Sequence, residues 1–190
     1  MKLVFATHNP NKFREIKSLL PAHIELLSLT DIDCNEEIEE TGDTIDENAM
    51  IKAEYVRNHY GYDCFADDTG LEVNSLAGAP GVFSARYAGE EKNDEANIEK
   101  LLSQLKKRDD RTARFKTVIA LNLKGHQNLF TGICEGKILE EKKGDKGFGY
   151  DSIFLPNGFD ISFAEMEIGE KSKISHRGIA FRELVEYLSK

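Results

Sequence analysis

Apolar positions along the chain switch between short unbroken runs and a helical spacing, and that alternation predicts the elements. "KLVFA" (2–6) reads as a short buried strand, and "NKFREIKSLL" (11–20) as a helix ended by Pro21. "IELLSL" (24–29) is a second strand candidate. In "TIDENAMIKAEYVRNHYG" (44–61), Ile45, Ala49, Ala53, Val56 and Tyr60 fall along one helical face. Thr44 and Glu47 supply a capping-box start for that helix, and Gly61 a stop. "CFA" (64–66) is a buried strand expected to end at Asp67-Asp68, followed by a connection rich in glycine with Gly70, Gly78 and Gly81 around Pro80. "DEANIEKLLSQLKKR" (94–108) turns Ile98, Leu101, Leu102 and Leu105 inward as an amphipathic helix. Residues 113–139 read as two long strands joined around Gly125-His126, and 175–190 as a final helix. With no internal repeat, low-complexity tract or linker, the pattern predicts an α/β protein built on a mixed sheet.

Composition narrows the class without changing the fold. A chain of 190 residues is one large domain or two closely packed lobes, taken together as a single domain over 1–190. The formal net charge of −9 argues against a general nucleic-acid binder, which would carry a basic face. It leaves room for a small phosphate ligand, since a divalent cation and a few lysines reverse the field in one cleft. Cys34, Cys64 and Cys134 are odd in number and widely spaced, the usage expected of free thiols in a reducing compartment. The apolar run near the N-terminus is too short for a signal peptide, and no stretch is long and apolar enough to span a bilayer. A cytoplasmic location with no membrane partner is therefore expected.

The chemistry gathers where strands meet turns. "FATHNPNK" (5–12) is a strand, a turn containing Asn9-Pro10, and a helix start carrying Asn11 and Lys12. Backbone N–H groups at such a start attract anions, and Lys12 adds a full charge, although an Asn-Pro turn that merely caps a helix is equally ordinary. "EEIEETGDT" (36–44) stacks acids ahead of a helix, most of them expected on a solvated face. The two acids of "ADDTG" (66–70), placed at a strand end, project into the crevice above a sheet and suit magnesium or the orientation of a water. "GDKGFGYDSIF" (144–154) flanks an aromatic ring with glycines. That fits a flat ligand stacked on Phe148 with Asp151 as acceptor, or a loop whose Phe148 packs into the core. Two other matches look accidental. Asp-Thr-Gly at 68–70 is the signature of aspartic proteases, but an acid precedes it where they have an apolar residue. "GAPG" (78–81) has the form of an RNA-binding loop without its basic surroundings.

Taken in order, "ATHNPNK", "EETGDTIDENAMIKA", "ADDTGLEVNSLAGAPGVFSARYAGE", "GFGYDSIF", "FAEM" and "EKSKISHRGIA" resemble the inosine-triphosphate pyrophosphatase family over nearly the whole chain. The resemblance implies a two-lobed α/β fold around a long mixed β-sheet with flanking helices, an active-site cleft between the lobes, dependence on Mg2+, and a homodimer. It implies hydrolysis of non-standard purine nucleoside triphosphates (ITP, dITP, XTP) to the monophosphate and pyrophosphate. It places Thr7, His8, Asn9, Pro10, Asn11 and Lys12 on the triphosphate, with Lys52 projecting toward the phosphates. Glu39 and Asp68 become metal ligands, Asp68 the proton acceptor with Asp67 as its rival, and Thr69 a substrate contact. Phe148, Gly149, Tyr150, Asp151, Lys171, His176 and Arg177 form the base pocket, with Lys171 on a loop before a helix capped by Ser175.

Four positions depart from the family pattern: Thr69 stands for serine, Ser152 for proline, Asn74 for aspartate, and His8 for a small residue. His8 is expected to point to solvent. A pyrophosphatase for modified pyrimidine nucleotides and a catalytically silent nucleotide sensor are the alternatives. Glu39, Asp68, Lys12 and Lys52 together speak against silence, because binding alone needs no activated water.

Overall fold

The structure, a computed structural model, describes residues 1–17 and 20–190, with the side chains of Asn11 and Glu15 outside that description. Positions 18 and 19 of the expected first helix therefore lie outside the described residues. In chain order the elements are β1 (Lys2–Phe5), α1 (Pro10–Lys17), β2 (Glu25–Leu27), α2 (Ile45–Tyr60), β3 (Cys64–Val73) and β4 (Pro80–Gly81). There follow α3 (Asp94–Leu105), β5 (Thr112–Leu123), β6 (His126–Ile138), β7 (Phe154–Pro156), α4 (Ile168–Ile174) and α5 (His176–Leu188). The strands form one mixed sheet in the order β2-β1-β3-β5-β6-β7, with β4 added to β3. β1 is parallel to both β2 and β3, whereas β3–β4 and β6–β7 are antiparallel. The α/β class with a mixed sheet is thus the observed one.

Contacts divide the chain into two compact units. The first comprises Met1–Asp68, Thr117–Thr131 and Ala180–Lys190, and the second Thr69–Lys116 and Gly132–Ile179. The first unit is built on an aromatic core. β1 and β3 pair with Phe5 opposite Phe65. Their rings stack at 4.5 Å, and Phe181 meets both edge-on at 6.2 Å. Leu3, Ile16, Ile119, Leu121 and Leu184 belong to the same cluster. The second unit packs Leu71, Ile98, Leu101, Leu105, Phe115, Phe154 and Phe163 together. Large side chains of this kind each stabilise by about 1.5–3 kcal/mol when fully buried.

Local chemistry explains the sharpest boundaries. Thr44 accepts from the Glu47 N–H while the Glu47 carboxylate accepts from the Thr44 N–H, so both ends of the expected capping box are present at the start of α2. Gly61 ends that helix in the left-handed region at φ 72°. Lys124 and Gly125, with φ of 49° and 83°, form the two-residue turn between β5 and β6.

Two expectations need correction. β3 does not stop at Asp67-Asp68 but continues to Val73, because both acids find lysine partners and need not leave the sheet. The final helix expected over 175–190 forms as α5, and a short further helix, α4, precedes it. Ser175 is extended (ψ 149°), closes α4, and its Oγ accepts from the Gly178 N–H at 3.2 Å to start α5. β2 is shorter than expected because the chain turns at Thr30–Ile32 into a single helical turn. No described helix is long and apolar enough to cross a membrane.

Candidate active site

In the first unit, β1 delivers the chain into the turn that starts α1. Asn9 caps the helix: its Oδ1 accepts from the Lys12 N–H at 3.2 Å, and its carbonyl from the Phe13 N–H. Pro10 takes the first helical position, where a missing N–H costs nothing. Thr7 Oγ1 accepts from the Asn9 N–H at 3.2 Å, so the turn is internally braced. Asn11 lies in α1, its side chain outside the described residues. His8 is exposed, as expected, and its Nε2 also lies 3.0 Å from the Glu36 carbonyl oxygen.

Acids and lysines meet beside this turn. Lys12 Nζ donates to Asp67 Oδ2 at 2.8 Å, and the Asp67 side chain is only 1% exposed. Lys52, on α2, donates to the Asp67 carbonyl at 2.8 Å, pairs with the Glu40 carboxylate, and lies 3.5 Å from Asp68 Oδ1. Burial pushes the Asp68 carboxyl up to about 6, Lys52 opposes this, and Glu40 and Asp67 reinforce it. Burial alone would lower the Lys52 ammonium, but Asp68, Glu40 and Asp67 outweigh it and hold the group above its usual value. Asp67 is therefore paired with Lys12, whereas Asp68 is the carboxyl held near 6.

Of the two acids that the family resemblance makes metal ligands, Asp68 lies beside Lys52. Glu39 is exposed, and it is Glu40, its half-buried neighbour, that pairs with Lys52 beside Asp68. Among the described residues no group of three or more His, Cys, Asp or Glu side chains forms a ready metal cage. Magnesium does not require one, since it is held by one or two carboxylates and completed by water and phosphate. The Asp68 carboxyl is raised first by burial and then by Glu40 and Asp67, and a cation beside it would relieve that acid–acid repulsion, so the donor set fits the ion.

Thr69 is half-buried and opens the second unit's share of β3. The base-pocket candidates all belong to this unit. Gly147 and Gly149 adopt φ of 78° and 60°, and Phe148 between them is 59% exposed. The buried Asp151 is the hub: its Oδ2 accepts from the Phe148 N–H at 3.0 Å and from Lys171 Nζ at 2.5 Å. A methyl group on Gly147 would collide with that carboxylate, which is why the position must be glycine. Gly149 N–H donates to Asp94 Oδ2 at 2.7 Å, and buried Tyr150 donates to the Ser84 carbonyl at 2.8 Å. Lys171 Nζ and the Arg177 guanidinium lie 5.7 and 5.4 Å from the Phe148 ring centre. The alternative that Phe148 packs into the core is not what is observed. Lys171 sits within α4, not on a loop. His176 is buried and stacks on Phe115 at 4.5 Å, a packing position at the head of α5.

Several contributors escaped the sequence reading. Glu40 was hidden because adjacent acids cannot be ranked by spacing, and Asp94 because it resembled an ordinary first-turn acid. Glu36, expected on a solvated face, accepts from Tyr55 at 2.8 Å and Tyr60 at 2.6 Å. No sequence signal linked these three residues.

The chain has close relatives among known proteins. A protein of Christiangramia forsetii named dITP/XTP pyrophosphatase is 90% identical over 190 residues, covering all of both chains. One of the same name from Flavobacterium psychrophilum is 57% identical over 187 residues, 98% of each chain. The solved structure of the Staphylococcus aureus Ham1 protein superimposes with a TM-score of 0.94 at 39% identity, covering 100% of this chain and 98% of that one. With the family pattern matched from residue 3 to residue 187, the chain belongs to the Ham1 family.

Proposed function

We propose that this protein hydrolyses non-standard purine nucleoside triphosphates (ITP, dITP and XTP) to the monophosphate and pyrophosphate. The observation that carries the reading is the Asp68 carboxyl raised to about 6 beside Lys52, in the same unit as the anion-ready start of α1. The names of the relatives, dITP/XTP pyrophosphatase, support the substrate class.

In this account the N–H groups at the start of α1 and the Lys12 ammonium hold the triphosphate. Lys52 neutralises charge developing on the departing pyrophosphate. Asp68 accepts the proton of the water that attacks the α-phosphorus. A group with a value near 6 is mostly deprotonated at neutral pH yet still basic enough to take that proton. Asp68 with Glu39, and with Glu40 adjacent, would hold magnesium, which supplies further neutralisation of phosphate oxygens. Phe148 offers a face for the purine, and Lys171 and Arg177 donate toward its 6-oxo group. Adenine presents an amino donor there and leaves those cations unsatisfied. Guanine shares the 6-oxo group, so its rejection falls to the wall formed by Phe148 to Asp151. A homodimer belongs to the same reading and rests on the family resemblance.

Pyrophosphate release measured across ITP, dITP, XTP, GTP, ATP and dTTP tests the proposal. Turnover concentrated in the first three is expected. A preference for ATP, GTP or dTTP would overturn it.

A further inference from the structure

The loop leading into α2 is fastened to that helix at three levels. Gly42 N–H donates to Asn48 Oδ1 at 2.8 Å, and Asp43 N–H to Glu47 Oε2 at 2.8 Å, at the helix start. Glu40 pairs with Lys52 midway along. Glu36 Oε1 accepts from both Tyr55 and Tyr60 near the helix end, while its Oε2 accepts from the Asn35 N–H at 3.1 Å. Ile38, between the two glutamate anchors, is buried. Glycine is required at 42, where a Cβ would sit 2.6 Å from Glu47 Cβ and 2.8 Å from Asn48 Oδ1.

Glu36 is the unusual anchor. The carboxylate is exposed yet collects three donors, and Tyr60 foremost, then Tyr55, draw its carboxyl down to about 2. An exposed cluster of this kind contributes little to global stability, because water competes for every group in it. Its effect is local: it fixes the backbone of Glu36, whose carbonyl oxygen lies 3.0 Å from His8 Nε2. His8 stands in the phosphate turn, between Thr7 and Asn9, whose own contact braces that turn. One carbonyl thus links the acid-bearing loop to the phosphate turn across 28 positions of sequence.

We propose that Glu36, clamped by Tyr55 and Tyr60, is a positioning residue that sets the phosphate turn through His8 while holding the Glu39–Glu40 segment along α2. The inference rests on the active-site reading above for its consequence in catalysis, but the mechanical coupling of the two segments does not.

Amide hydrogen exchange on protein free of metal and nucleotide, with ITP kinetics in parallel, tests it. In the Tyr55→Phe/Tyr60→Phe double variant, amides of 34–41 and of 7–12 should exchange roughly 3- to 10-fold faster, the range expected for losing one or two surface hydrogen bonds. Amides in the middle of β3 and β5 should be unchanged. His8→Ala should loosen 7–12 and leave 34–41 as it was. With ITP the double variant should raise KM by a similar factor and lower kcat less, since the turn holds phosphate. Glu36→Gln, which keeps an acceptor for both tyrosines, should recover most of the effect seen in Glu36→Ala. Exchange in 7–12 that does not respond to the tyrosines, or that rises together with β3 and β5, would overturn the proposal. If the parent protein fails to hydrolyse ITP, the functional reading falls alone, and the exchange data still decide the coupling.

Discussion

Replacing Asp68 by asparagine should stabilise the metal-free protein above pH 6 while disabling it. The Asp68 carboxyl is held at about 6 against an ordinary 3.8, and its side chain is only 14% exposed. A gap of roughly two pH units corresponds to about 3 kcal/mol at 1.36 kcal/mol per unit. Because the folded value is raised, the folded protein keeps a proton that the unfolded chain has released between about pH 4 and 6. The stabilising contribution of the protonated group is therefore complete below about pH 4 and lost as pH rises to about 6. Above that, the ionised carboxylate is a standing cost imposed by burial and by Glu40 and Asp67. That gap already includes the 3.5 Å attraction to Lys52, so removing the charge with asparagine is expected to gain about 3 kcal/mol, or about 6–12 °C in Tm for a chain of this size. Thermal unfolding in chelator from pH 4 to 8 should show the gap opening between pH 4 and 6 and then staying constant. Added Mg2+ should raise the parent's Tm and leave the variant's nearly unchanged, narrowing the gap. A variant less stable than the parent at pH 7.5, or a gap independent of pH, would refute the electrostatic account.

The same substitution should lower kcat by about 10²–10⁴-fold, the usual cost of losing a general base, as measured by pyrophosphate release. Arg177→Ala should reduce kcat/KM for ITP by about 10- to 150-fold, the equivalent of about 1.5–3 kcal/mol for a charged donor. ATP turnover should fall much less, so an equal fall on both substrates would mean that Arg177 serves phosphate or structure. Gly147→Ala should displace the Asp151 carboxylate from the Phe148 N–H and Lys171, raising KM for ITP. An unchanged KM in steady-state assays would show that the Asp151 hub does not shape the pocket.

Much of the fold was legible in the sequence because its signals were local. The capping box at Thr44–Glu47, the glycine at 61 and the inward run Ile98, Leu101, Leu105 each act within one helix, and each element formed where its signal lay. Failures came where distant residues compensate a local cost. Two adjacent aspartates look like the end of a buried strand, yet Lys12 and Lys52, from two other elements, let β3 carry them inside the sheet. α4 gives no clear sequence signal because it is short and charged and carries Gly169 in its first turn, and Ser175 both ends it and starts α5.

The site divides in the same way. Residue types and order singled out the turn at 7–12, Asp68 and the Phe148 loop as candidates. Which of Glu39 and Glu40 reaches Lys52, or that Glu36 meets two tyrosines, depends on side-chain directions that spacing does not reveal.

Hydrolysis of ITP in water enriched in oxygen-18, followed by mass analysis of both products, tests the central claim most directly. If Asp68 takes the proton of a water attacking the α-phosphorus, one labelled oxygen must appear in inosine monophosphate and none in pyrophosphate. Label in pyrophosphate, or a diphosphate released with free phosphate, would place the attack on another phosphorus and contradict the assigned chemistry.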